Sequence, residues 1–185
     1  MRNSAHSNIT IIFQWIFKDV TKNVSRAQFL RGDFSASRSA IRPPWAMVEP
    51  DFVEACSRCG DCIGACPEKI LEKGRGGFPR VNFGLGECTF CGGCARSCKT
   101  GALDVEREPW RLKARIAPSC LALKQVACRN CGESCPTGAI RFRIAAAAVA
   151  RPELDAAACT GCGACVGPCP VAAVTIAEMD AQIAA

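Results

Sequence analysis

Sixteen of the 185 residues are cysteine, and all of them fall between Cys56 and Cys169. Three quartets share one spacing: Cys56-x2-Cys59-x2-Cys62-x3-Cys66, Cys88-x2-Cys91-x2-Cys94-x3-Cys98 and Cys159-x2-Cys162-x2-Cys165-x3-Cys169. The remaining quartet, Cys120-x7-Cys128-x2-Cys131-x3-Cys135, lengthens the first step and keeps the ligand count. Thiolates at steps of three wind a loop around one metal centre, so their sulfurs converge on three corners of a cube. The fourth, after a longer step and usually before proline, points away and ligates a neighbouring centre. The chemistry expected is one-electron transfer by iron and sulfur.

Other uses of cysteine fit less well. Disulfides need an oxidising compartment, and ladders of Cys-x-x-Cys make a poor disulfide framework. Zinc prefers two Cys pairs that meet in one tetrahedral site, which leaves the third thiol of each block without a role. A thioredoxin-type motif would occur once. Four [4Fe–4S] clusters use all sixteen thiols with none left over. Which blocks exchange their fourth ligand stays open. Sequential pairing sets Cys98 with Cys56, Cys59 and Cys62, and Cys66 with Cys88, Cys91 and Cys94. In the other half it sets Cys169 with Cys120, Cys128 and Cys131, and Cys135 with Cys159, Cys162 and Cys165. A nested pairing joins the first block to the fourth and the second to the third. Without Cys120, the third centre would hold three irons.

Composition closes off most enzyme chemistry. His6 is the sole histidine and tyrosine is absent, so a histidine-based triad and a two-histidine zinc site are excluded, and no nucleotide-binding P-loop occurs. No residue stands out as able to activate a substrate. The net charge of +6 would suit a polyanion partner. Four oxidised clusters at about −2 each would bring the loaded protein to roughly −2, which removes the argument for nucleic acid.

The elements that must position these thiols follow from a fourfold repeat. Cys56, Cys88, Cys120 and Cys159 open four blocks. Each closes on a cysteine, a polar or small segment and an apolar run, giving a loop, one helical turn and a short strand. Strands are expected over residues 103–106, 140–144 and 174–177, with another over 80–83. Gly60, Gly92, Gly93, Gly132, Gly161 and Gly163 let the loops curl tightly. Pro67, Pro136 and Pro170 end the turn after the exchanged ligand, and Lys99 replaces that proline in block two as a solvated surface lysine. Turns are expected at residues 74–77 and at Arg151-Pro152. The expected fold class is α+β: small, cluster-stabilised tandem modules of the bacterial 2[4Fe–4S] ferredoxin type. Residues 1–50 form a tail and linker, 51–110 the first two-cluster module and 111–180 the second.

Within the tail, residues 9–17 are apolar but too short to span a membrane, and no cleavage site follows them. Residues 25–30 echo a twin-arginine signal in which Ala27 stands for the second arginine, and the polar run at 32–39 occupies the place of its apolar region. No export signal and no transmembrane segment is expected. The run at 144–150 is apolar and short, which suits packing. Pro43 and Pro44 impose an extended path, and Trp45 has the apolar area to dock on the body of the protein.

The four-block array resembles the NapF family, ferredoxin-type accessory proteins of periplasmic nitrate reductase systems. So do Ser25-Arg26-Ala27-Gln28-Phe29-Leu30-Arg31-Gly32, Ala40-Ile41-Arg42-Pro43-Pro44-Trp45 and Gly76-Gly77-Phe78-Pro79-Arg80-Val81-Asn82-Phe83. The resemblance covers about residues 25–178; Ala27 and residues 1–23 depart from it. It implies a cytoplasmic protein, not an enzyme, that binds the precursor of the catalytic nitrate reductase subunit. Its role would be to help assemble or reductively load that subunit's own cluster before export. Residues 25–45 are the candidate docking segment. An electron-transfer subunit of a respiratory chain is the alternative.

Overall fold

A computed structural model describes residues 40–144 and 149–178. The expectations for residues 9–17, 25–30 and 32–39, and most of the apolar run at 144–150, lie outside the described residues. The first helix of the described residues is the seven-residue α1 (Glu49–Ala55), with proline in its first turn beside Glu49 and Asp51. Acidic side chains there favour the positive end of the helix dipole. Its inward residue, Phe52, is wholly buried.

Three single-turn helices, α2 (Asp61–Gly64), α3 (Gly93–Arg96) and α4 (Asn130–Glu133), carry the third cysteines of the first three blocks. Gly60 and Gly92 introduce α2 and α3 at φ of 89° and 74°, a left-handed conformation that strains any residue with a Cβ. In block four the corresponding residues 164–168 form turns instead of a regular helix.

Among the described residues, six strands make three antiparallel ribbons: β1 (Leu71–Lys73) with β2 (Pro79–Val81), β3 (Leu112–Ile116) with β6 (Val174–Glu178), and β4 (Ile140–Arg143) with β5 (Arg151–Leu154). The two halves of the chain repeat this plan. β1 and β4 stand at the same offset from Cys66 and Cys135, and each folds back on the strand that follows it. An isolated bridge from Ala46 to Leu103 occupies in the first half the place of the β3 and β6 pair in the second. The residues just ahead of these positions, Ile70, Ala102, Ala139 and Ala173, are all buried.

Two expectations are corrected. Residues 103–106 are not a strand beyond the single bridge at Leu103. The Asp104 carboxylate accepts the Glu106 N–H at 3.0 Å, and a turn returns the Arg107 N–H to the Asp104 carbonyl. Local side-chain bonds of this kind compete with a ladder. Arg151-Pro152 is not a turn but the start of β5, with Pro152 opposite Phe142. A two-stranded ribbon leaves alternate N–H groups facing outward, so a proline costs it no bond.

The segment ahead of α1 is stitched into the first half. Pro43 and Pro44 are fully buried, the Val81 N–H donates to the Ile41 carbonyl at 2.8 Å, and the Asp104 N–H donates to the Trp45 carbonyl at 3.2 Å. Arg42 pairs with Glu49 and lies over the Phe52 and Phe78 rings at 5.0 and 5.3 Å. Trp45 docks edge-on against Phe90 at 6.3 Å. One contiguous core joins Phe52, Phe78 and Phe83 of the first half to Leu112, Ile140 and Ile176 of the second. Truncating Phe52 to alanine should cost about 3–5 kcal/mol. The check is the unfolding temperature of the anaerobically purified protein, which should fall without loss of iron from preparations kept well below the transition.

Candidate metal centres

The loops that α2 and α3 close are hollow. Cys56, Cys59, Cys62 and Cys98 line one cavity of about 160 Å³, whose remaining wall includes Phe52, Pro79 and Leu103. Cys66, Cys88, Cys91 and Cys94 line a second, smaller one together with Pro44, Trp45 and Ile70. The fourth cysteine of each block therefore sits with the first three of the other. This is the sequential arrangement, and the nested alternative does not hold here. In the second half, Cys131 lies within electrostatic reach of Cys120, Cys128 and Cys169, and Cys165 within reach of Cys159 and Cys162. The repeat leaves Cys135 for that last set. Cys120 is buried despite its altered spacing, and it joins the block-three thiols.

The two sets of the first half surround space instead of meeting at a point. Among the described residues, no three or more His, Cys, Asp or Glu side chains converge tightly enough for a single metal ion. A zinc ion would draw its thiolates to within about 4 Å of one another, whereas a cube of iron and sulfide keeps them apart. The sulfurs also meet hydrogen-bond donors. Backbone N–H groups of Phe90, Ala114 and Ala173 donate to the sulfurs of Cys88, Cys159 and Cys169 at 3.4, 3.4 and 3.2 Å. Hollow thiol-lined cavities and N–H groups aimed at sulfur both fit bound [4Fe–4S] groups.

Burial dominates the protonation of these thiols. It pushes Cys62 up to about 11, helped by the neighbouring charges of Cys94, Cys56, Cys59 and Cys98. Cys88, Cys94 and Cys131 likewise rise to about 11, and Cys165 to about 12, with burial the largest cause in each. Cys98 and Cys135 move the other way. Burial opposes the shift, but a threonine hydroxyl and three backbone N–H groups together outweigh it. Those hydroxyls, on Thr100 and Thr137, lie 3.6 Å from the sulfurs. The sequence reading gives neither threonine a role, although a repeated Cys-x-Thr at Cys98 and Cys135 marks both. Lys99 is a surface residue as expected, 87% exposed and 3.5 Å from Asp61. Glycine is needed at Gly163, where a Cβ would run into the Phe83 ring, and at Gly161, where it would run into the Leu112 carbonyl.

Two stretches, residues 55–102 and 126–173, match the family model of the 4Fe-4S dicluster domain. The ferredoxin-type protein NapF of Escherichia coli K12 is 40% identical over 161 residues, which is 86% of this chain and 98% of that protein. NapF of Haemophilus influenzae is 44% identical over 169 residues, 85% and 96% of the two chains. The chain belongs to the NapF family. NapF proteins share more than the cluster motifs with it, because the match runs well past the two dicluster stretches. The second stretch begins beyond the ligand candidate Cys120. A more distant relative, the methylamine utilization ferredoxin-type protein MauM of Methylophilus methylotrophus, is 31% identical over 164 residues, 78% of this chain and 73% of that one. As a NapF-family member the chain is a ferredoxin-type iron–sulfur protein. Among the described residues no helix is long and apolar enough to cross a membrane.

The thiol shifts fix the sign of a pH effect. Thiols raised to about 11 or 12 favour the metal-free fold below pH 9, and that contribution is lost as the pH climbs through those values. Iron needs thiolate, so loading works against the same preference and must release protons. Uptake of iron and sulfide by the metal-free chain should therefore increase from pH 7 to pH 9. Charge-transfer absorbance follows the uptake, and proton release can be titrated alongside.

Proposed function

We propose that the sixteen cysteines hold four [4Fe–4S] clusters and that the protein serves the maturation of the catalytic subunit of a periplasmic nitrate reductase. It binds the precursor in the cytoplasm, before export, and takes part in assembling or reductively loading that subunit's own cluster. The observation that carries this reading is the likeness to NapF proteins over 98% and 96% of their length in two species. The four-thiol cavities support it. The modules, 51–110 and 111–180, are read as α+β units held together by their clusters. No substrate-activating residue is assigned, so the role is that of an accessory protein and not an enzyme.

When bound, a [4Fe–4S] group supplies one-electron redox chemistry. The chain's own residues hold and bias it. The cysteines ligate, and the N–H groups of Phe90, Ala114 and Ala173 with the hydroxyls of Thr100 and Thr137 stabilise negative charge on sulfur. Apolar walls at Phe52, Leu103 and Ile70 limit water. In the candidate docking segment, Arg42 and Trp45 are already committed to contacts within the first half. Recognition of the precursor is therefore assigned to residues 25–39, which lie outside the described residues.

Capture from anaerobic cytoplasm tests the proposal. The affinity-tagged protein should retain the signal-bearing precursor, and alanine at Arg26, Arg31 and Arg38 together should reduce that capture at least several-fold with iron content unchanged. Recovery of only mature reductase or a quinol dehydrogenase would transfer the protein to the alternative role, an electron-transfer subunit of a respiratory chain.

A further inference from the structure

Each cysteine block touches others through named contacts, and the contacts have a direction. Blocks one and two meet where α2 and α3 pack, so closely that a Cβ on Gly93 would lie 2.9 Å from the Ala65 carbonyl oxygen. Blocks three and four meet where the Asn130 side-chain amide donates to the Pro168 carbonyl at 3.2 Å. Between the halves, the Cys88 N–H donates to the Cys162 carbonyl at 2.8 Å, so a ligand candidate of block two is bonded directly to one of block four. Phe83 closes over Gly163 at the same place. Trp110 packs against both Phe83 and Phe90 with ring centroids 5.7 Å away in each case. Phe90 lies inside the block-two loop and Phe83 covers the block-four loop, so Trp110 wedges the two together.

We infer that this aromatic junction sets the four thiol sets in a single row whose order is one, two, four, three, and not the order of the sequence. The inner sets, of blocks two and four, each adjoin two neighbours. The outer sets, of blocks one and three, each adjoin one through the contacts above. Electron tunnelling falls steeply with distance, so the row gives the protein two ends, and redox partners would meet it at blocks one and three. The inference rests on the reading that each thiol set holds a cube.

Two double variants, and a comparison of the unaltered protein with a third variant, F83A, test it. C59A/C128A disables the outer sets and C91A/C162A the inner ones, and each variant should retain about eight iron atoms. After full reduction, the C59A/C128A protein should show spin–spin splitting between its two remaining centres, whereas C91A/C162A should show two isolated spectra. The reverse pattern, or equal coupling in both, overturns the order. Independently of iron binding in the cysteine variants, hydrogen exchange in the peptide holding Cys88 should be at least tenfold slower in the unaltered protein than in F83A. Equal rates would overturn the junction. Iron analysis of the unaltered protein separates the two claims: fewer than four centres refutes the four-cluster reading, while four centres with the wrong coupling refutes only the order.

Discussion

A thiol that leaves its own loop must be received somewhere else, and the rest of the architecture follows from that. Cys66 and Cys98 stand in each other's cavities, so neither of the first two blocks is complete without its neighbour. The chain must therefore run from one cavity to the other and return. The short strands after each closing cysteine, and the buried Ile70, Ala102, Ala139 and Ala173 at their base, are what that return path requires. Small residues at three of these four places let the backbone pass close to the loops. Burial near the sulfurs then does two things. It lines the inner side of the cavities with apolar walls, and it favours the neutral form of thiols such as Cys62, Cys94 and Cys165.

The spacing of the cysteines makes the site legible in the sequence itself. A step of three residues leaves few other geometries, the repeat built on it locates β4 and β6, and the glycines between blocks mark the turn at residues 74–77. The rest is hidden for physical reasons. β3 finds its partner β6 at the far end of the second half, a pairing that no local pattern announces. Pro152 reads as a turn residue until the ribbon is seen to have only two strands. Cys120 carries a lengthened spacing, so the sequence holds it in the set only by the count of four thiols per block, and its burial near Cys131 agrees with that count.

The junction is still less legible. The protein has few aromatic residues, and Phe83, Phe90 and Trp110 carry no periodicity that would mark them as a group. Their meeting depends on how two pseudo-equivalent halves dock, which is a property of the finished surface. Gly163 carries a partial signal. It reads as a loop glycine that turns the chain, which its φ of 85° supports, but it must also be bare so that a ring from the other half can lie on it.

That bare glycine bears on how the protein is made. Phe83 is only 7% exposed in the finished fold, yet part of its cover comes from the last cysteine block to leave the ribosome. Until that block is synthesised and folded, the nascent first half presents an uncovered aromatic ring to the cell. The chain therefore has a window of vulnerability during translation, closed from its C-terminal side, and a truncated product would remain in that state.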